Sequence, residues 1–524
     1  MNRRASERCA VAALVAVTFY GLACIYPVAW SPDSTGVVFP VLRGETGAPT
    51  ALVMADLEGN LVREVASVGP QQGALSPAAW SPDGRLLAYL RYDRLEGESV
   101  KTSLILHDVE SGREEVIWRG PEVTDPKSFM TAILGPVWLS DPLRIVVDEM
   151  PPDHRSLLVL STTGETEATI RLPPTDEEGT WVALSPDGRY VAYPQPAPQA
   201  PPDAVTVMLR PAAGGEPREL CQTWTSDVGP FLRPAWARDS GALYLPVLAP
   251  TDEDRRTGYV RRYDVASGAS RDLWQRPDAQ VFGVSLSADG CVMAVDYFVE
   301  RESPEFLATD VVDLDRGAAA TVHYSGDGTM HMYSTVSPDG RWLAFAQGDE
   351  EGRGPVGVLV SADGATVRFY LPDEPDAQEL AAEVALNRLM LASRFGSEVG
   401  QVKNSLDERL AEEGLAGIAS AAPAGLLRVR TAVNETLAVD LSPLTRETLR
   451  VHLLTELTNG LGARAGTLSV AEAEAMATAC RAMLADYEAD YPASILLPGL
   501  TESLEEALSG LAADAPEETP ALTP

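Results

Sequence analysis

The sequence is short of lysine, histidine and cysteine. Of 41 basic residues in 524, only Lys101, Lys127 and Lys403 are lysine; against 76 acids they leave a formal charge of −35. A chain this acidic repels phosphate backbones, and no basic face is gathered in the pattern, so a nucleic-acid partner is excluded. Five cysteines (Cys9, Cys24, Cys221, Cys291, Cys480) stand far apart without a CxxC pair, which excludes a disulfide framework or zinc cluster. Five scattered histidines make no His-rich metal site and leave few general bases. P-loop, G-x-G-x-x-G and H-E-x-x-H motifs are missing. The nearest approach to a G-x-S-x-G nucleophile elbow, Gly283-Val284-Ser285-Leu286-Ser287, lacks its last glycine. No cofactor is expected. At 45% hydrophobic the chain is too apolar for disorder, and 524 residues exceed what one core of about 250–300 residues holds.

The N-terminus reads as an export signal over residues 1–23. Arg3, Arg4 and Arg8 form a basic start, Cys9 to Ala23 an apolar stretch, and Gly21-Leu22-Ala23 places small residues at −3 and −1 of a cut after Ala23. Three outcomes stay open: simple cleavage, cleavage with lipid attached to Cys24, and an uncleaved membrane anchor. Each predicts export to the periplasm or cell envelope, the last two with membrane association through the N-terminus.

Residues 24–372 are organised by a repeat. Trp30-Ser31-Pro32-Asp33 returns as Trp80-Ser81-Pro82-Asp83-Gly84, Leu184-Ser185-Pro186-Asp187-Gly188 and Val336-Ser337-Pro338-Asp339-Gly340. Looser copies carry Asp141, Asp239 and Asp289, so successive aspartates are spaced 50, 58, 46, 52, 50 and 50 residues apart. Pro presets φ, Asp accepts backbone N–H bonds, and Gly tolerates positive φ where the turn closes. Asp33, Asp83, Asp141, Asp187, Asp239, Asp289 and Asp339 are therefore read as structural turn residues. Short apolar or alternating stretches flank each copy, and a second Gly turn follows 23 to 29 residues after each aspartate. Each unit thus reads as strand, tight turn, strand, long loop, strand, tight turn, strand. One such sheet cannot bury both faces; seven packed radially can, with the Trp or Leu before each turn filling the narrow centre. The fold class expected is mainly β, a seven-bladed β-propeller followed by a smaller, mainly α-helical domain. The W-S-P-D-G units resemble the WD-like repeat of TolB-like propeller proteins of the bacterial cell envelope. That resemblance implies a propeller and an envelope location, and it specifies no activity.

Loop parity places the tight turns on one side of the ring and the long, variable loops on the other, where binding is expected. Two features stand there. Met330, His331, Met332 and Tyr333 gather soft donors, making them ligand candidates or an ordinary inter-blade loop. Asp252-Glu253-Asp254 and Asp349-Glu350-Glu351 read as calcium-type oxygens or solvated loop charge.

After Pro372 tryptophan vanishes and Ala, Leu and Glu dominate. Residues 373–511 read as a mainly helical domain, and 512–524 as a disordered tail. Asp376 with Glu379 and Ser469 with Glu472 read as capping boxes, Ser442-Pro443 as an N-cap and first helical residue, and Ser503 with Glu506 as the start of a last short helix. Leu426–Val433 and Thr436–Leu441 read as β-like runs forming a hairpin. From Asp373 onward acids number 25 and bases 10, again no nucleic-acid reader. The function expected is an exported, non-catalytic scaffold binding a protein partner or ligand in the cell envelope. The alternatives are a hydrolase or lyase with a carboxylate site in the propeller channel, and a metal or small-ligand sensor.

Overall fold

The computed structural model describes residues 27–513 except 42–48, 70, 96–98, 124–134, 150–154, 174–180, 197–203, 225–232, 251–255, 278, 300–305, 327–328, 332, 350–355, 372–375, 413–422, 440, 463 and 465–467. The export signal with Cys24, most of the long loops and residues 514–524 of the tail lie outside the described residues; 512 and 513, read as tail, belong to the last helix. Two compact units part between Leu380 and Ala381.

The first unit is a seven-bladed propeller. Its blades span residues 29–67, 73–123, 137–171, 183–224, 235–277, 279–326 and 329–370, each an antiparallel four-stranded meander. Blades 2 and 7 split their innermost strand into two pieces, Gly73–Leu75 with Ala79–Trp80 and Thr329–His331 with Thr335–Val336. In blades 1 to 6 the outer ladder slips at a bulge, as at Leu104/Ile105 and Val260/Arg261. An extra residue there steepens the twist, which lets flat hairpins fan into wedges.

The apolar side chains lie between blades. One core joins Val37, Phe39 and Val53 of blade 1 to Ala344, Ala346 and Leu359 of blade 7, closing the ring. At the same seam Phe39 and Tyr370 stack at 5.7 Å, and Arg368 Nη1 donates to Leu57 O at 2.6 Å. The tryptophans of the repeat tie neighbouring blades together. They reach sideways, each indole N–H donating to a carbonyl on the inner strand of the preceding blade: Trp80 to Ala29, Trp138 to Ala79, Trp236 to Ala183, and Trp30 to Thr335 across the closure. An indole needs an acceptor when buried, and the inner strand of the neighbouring blade is the nearest.

The second unit is helical: α1 (Ala377–Phe395), α2 (Ser397–Glu412), α3 (Pro423–Leu437), α4 (Pro443–Gly462), α5 (Val470–Asp490) and α6 (Leu497–Ala513). Ser469 and Glu472 form the reciprocal box at the start of α5. Two expectations need correction. The hairpin read around Asn434 is instead α3: Leu426, Val429, Ala432, Val433 and Leu437 are all buried, a helical spacing that outweighs the β preference of its Val and Thr residues. The last helix is not short; it starts six residues before Ser503, at Leu497, and runs 17 residues.

Candidate functional site

The turn aspartates work as a repeated device. In blades 1, 2, 4, 6 and 7 a serine two residues earlier donates its hydroxyl to Asp33, Asp83, Asp187, Asp289 or Asp339, each at 2.6 Å. The same serine oxygen accepts the backbone N–H five residues on, at 2.8 Å for Leu86 and 2.9 Å for Tyr190. Ser81, then the Arg85 N–H, hold the Asp83 carboxyl below its ordinary value; Ser287, then the Cys291 N–H, do so for Asp289. In blade 5 Ala237 replaces the serine, and Asp239 accepts Gly241 N at 2.8 Å. Asp141 differs: Ser140 pairs directly with Leu143, so Asp141-Pro142 is a two-residue hairpin. Among the described residues, every Asp or Glu with a displaced pKa is displaced downward, as charged acceptors in turns, caps and ion pairs are.

A different set of groups meets where blades 5, 6 and 7 come together on the long-loop side. Arg233 leads into the inner strand of blade 5, and Tyr333 into that of blade 7. Arg233 N donates to Phe282 O at 2.7 Å and its carbonyl accepts Val284 N at 3.0 Å, so its backbone is pinned on the inner strand of blade 6. Its guanidinium carbon lies 5.7 Å from the Tyr333 ring centroid. Nη1 is shut off from solvent and has no acceptor among the described residues. Burial pulls this guanidinium below the usual arginine value, against the opposing influence of Tyr333 and Asp296. Tyr333 has φ 61°, a left-handed conformation that a bulky residue rarely adopts, and its ring is buried against Phe282. Such a residue costs about 1–3 kcal/mol and persists only where its surroundings fix it. Gly283 makes room: a Cβ there would come within 3.0 Å of Asp296 Oδ2 and 3.6 Å of Tyr333 Cδ1.

Behind this surface the polar groups are saturated. Asp296 accepts Thr309 Oγ1 at 2.8 Å and Ser334 N at 2.7 Å. His331, fully buried, has Nε2 2.9 Å from Thr309 Oγ1 and Nδ1 2.7 Å from Ser325 Oγ. With both ring nitrogens engaged, His331 has no lone pair to offer a metal. Met332 and Asp252-Glu253-Asp254 lie outside the described residues, as do Glu350 and Glu351; Met330 lies in the strand Thr329–His331. No group of three or more His, Cys, Asp and Glu side chains gathers as metal ligands among the described residues. Of the four soft-segment residues, then, His331 and Tyr333 are brought together with Asp296, but as a polar core under Arg233. Arg233 and Asp296 were not singled out from sequence. The one available signal was a lone arginine in Phe231-Leu232-Arg233-Pro234, entering an inner strand.

No family model and no curated protein matches the sequence. Among solved structures the propeller is similar to an oligogalacturonate lyase in complex with manganese (16% identity, 64% of this chain and 88% of that one, TM-score 0.44). It is also similar to a Mycobacterium tuberculosis puromycin-hydrolysing peptidase (14% identity, 70% and 55%, 0.45) and to Kuenenia stuttgartiensis hydrazine synthase (15%, 65% and 96%, 0.42). At such scores these likenesses assign no activity.

Proposed function

We propose that this is an exported, non-catalytic binding protein of the cell envelope, TolB-like in kind, whose long-loop face receives a ligand or protein partner through an anionic group seated on Arg233. One observation carries this reading: a guanidinium nitrogen held away from water with no acceptor among the described residues, on a backbone pinned between two blades. A buried donor left unpaired costs about 1–3 kcal/mol, so a carboxylate admitted to it by a local opening of this face gains that amount and a charge-assisted bond. The groups behind it favour binding over turnover, because Asp296 and His331 are committed to hydrogen bonds and neither is placed as a free acid or base. The test is calorimetric titration with a panel of dicarboxylates, sugar acids and acidic hexapeptides, followed by mass spectrometry of the recovered compounds. Binding that falls about tenfold or more in Arg233→Gln, with every compound recovered intact, supports the reading. Chemical conversion of any compound would favour the hydrolase or lyase alternative. Export is tested separately by the mature N-terminus: Cys24, bare or lipidated, supports it, and an intact Met1 in the cytoplasm contradicts it.

A further inference from the structure

Three seams of the propeller are closed by one device. An arginine on the outermost strand of one blade donates a terminal guanidinium N–H to a turn carbonyl of the next, each at 2.6 Å: Arg63 to Val109 O, Arg218 to Val265 O, and Arg368 to Leu57 O across the ring closure. Two residues before each acceptor, the third strand of that blade buries a side chain: His107, Tyr263 or Ala55. Alanine does not titrate, and burial pushes the Tyr263 hydroxyl up, which keeps it neutral. Of the three, His107 alone can take up a proton.

His107 is 4% exposed, and neither ring nitrogen has a hydrogen-bond partner among the described residues. Charged groups face it from every side. Arg63 and Glu64 come from blade 1, and Glu64 is already engaged. Glu114 stands opposite on the outer strand of blade 2, its Oε1 3.6 Å from Nδ1, and that oxygen already accepts Tyr89 OH at 2.5 Å. Asp108 follows in the same strand as His107 and pairs with Arg85 at 3.1 Å. The Arg63 Nε and Nη2 are shut off from solvent and unpaired among the described residues. Burial, then the Arg63 charge, lower the His107 pKa, outweighing Glu114 and Asp108. The closed seam thus holds a neutral ring beside a fixed cation. A cavity of ≈ 550 Å³, lined by Arg63, Ser67, His107 and Glu114 among others, already separates the outer edges of the two blades. Elsewhere in the same seam Val38, Leu52, Leu75, Leu87 and Ile105 form its apolar core.

We infer that the seam between blades 1 and 2 is an acid-sensitive latch: a proton from solvent taken up by His107 sets a second cation beside Arg63, and the outer strand of blade 1, Leu61–Ser67, parts from the blade 2 turn at Gly112 while the apolar core stays shut. In the open seam the ring meets water and titrates near its ordinary value of about 6.5; in the closed seam it titrates lower. The open form therefore binds more protons, so opening is favoured as pH falls below about 6.5 and is not favoured above it. The latch is independent of Arg233 and of the reading built on it.

The experiment is hydrogen exchange of the full chain at about pH 7 and about pH 5, read by mass spectrometry and corrected for intrinsic exchange rates. This window lies above the titration of the turn carboxylates. Peptides covering Leu61–Ser67 and the turn at Gly112 should lose protection roughly tenfold at the lower pH, the effect of one unit of pKa difference between open and closed forms. The matching strands of the other two seams, Arg218–Trp224 and Val367–Tyr370, should keep theirs. His107→Tyr and His107→Ala copy those two seams, and in each variant protection of Leu61–Ser67 should be the same at both pH values. The inference is overturned if the unmodified chain loses no protection there at the lower pH, if the Arg218 and Arg368 seams lose as much, or if the loss persists in either variant.

Discussion

Ser81 contributes as much to its turn as Asp83 does. It is fully buried, donates to the carboxylate and accepts from Leu86 N, so Ser81→Ala leaves a buried N–H short of its partner and should cost about 1–2 kcal/mol in urea melts. The turn carboxyls also set the acid limit of stability. Asp33, Asp83, Asp187 and Asp289 have folded pKa values below the ordinary carboxylate value, and Ser111 N–H and hydroxyl hold Asp108 down to about 2. A depressed folded pKa gives stability that is complete above the unfolded value and is lost as pH falls through the folded one. The melting temperature should therefore change little from pH 7 to about pH 5 on account of these groups and drop below about pH 4. A third prediction concerns Ser240, which has φ 61° where blades 2, 4, 6 and 7 have glycine. Its hydroxyl accepts Asp187 N of the preceding blade at 3.0 Å, as Ser34 accepts Asp339 N across the ring closure. Ser240→Ala loses that bond and keeps the strained backbone, whereas Ser240→Gly loses the bond and relieves the strain. Alanine should be the more destabilising by about 1 kcal/mol; equal melts would show that the conformation costs nothing there.

At the level of elements, what could be read from sequence follows from how local the deciding contacts are. The aspartate period, the four strands of each unit and the capping box at Ser469 depend on neighbours a few residues away, and all are visible in the chain. α3 depends on more than its own residues. Val429, Thr431, Val433 and Thr436 favour extended backbone, but the buried row at 426, 429, 432, 433 and 437 has helical spacing, and Arg430 on this helix grips Asp486 of α5. Thr431→Pro separates the two readings, since this exposed position lies inside the helix and proline there removes a helical hydrogen bond. Loss of about 3 kcal/mol is expected, and a change within ~0.5 kcal/mol would speak for an extended segment. The tryptophan directions were likewise hidden, because each indole finds its acceptor about one blade away, Trp138 on Ala79 for example. Arg233 and Asp296 are further still from being legible: 63 residues separate them, and only the parallel bridge from Arg233 to Gly283 lays the arginine over blade 6.

On the scale of the whole molecule, each of the seven blades supplies its own strands, and the closure of blade 7 on blade 1 uses only propeller residues: Trp30 to Thr335, Arg368 to Leu57, and Phe39 on Tyr370. Among the described residues no strand comes from the helical unit. Among the described residues the site at Arg233 also draws on blades 5 to 7 alone. A ring that is complete in itself and carries its own binding site is the central claim, and it is tested most directly by a chain of residues 24–372 without the helices. This fragment should unfold in one cooperative transition and bind whichever carboxylate the full chain binds, with a Kd within about threefold (~0.6 kcal/mol) and the same loss in Arg233→Gln. A fragment that shows no cooperative melt, or that folds and no longer binds, would contradict the account.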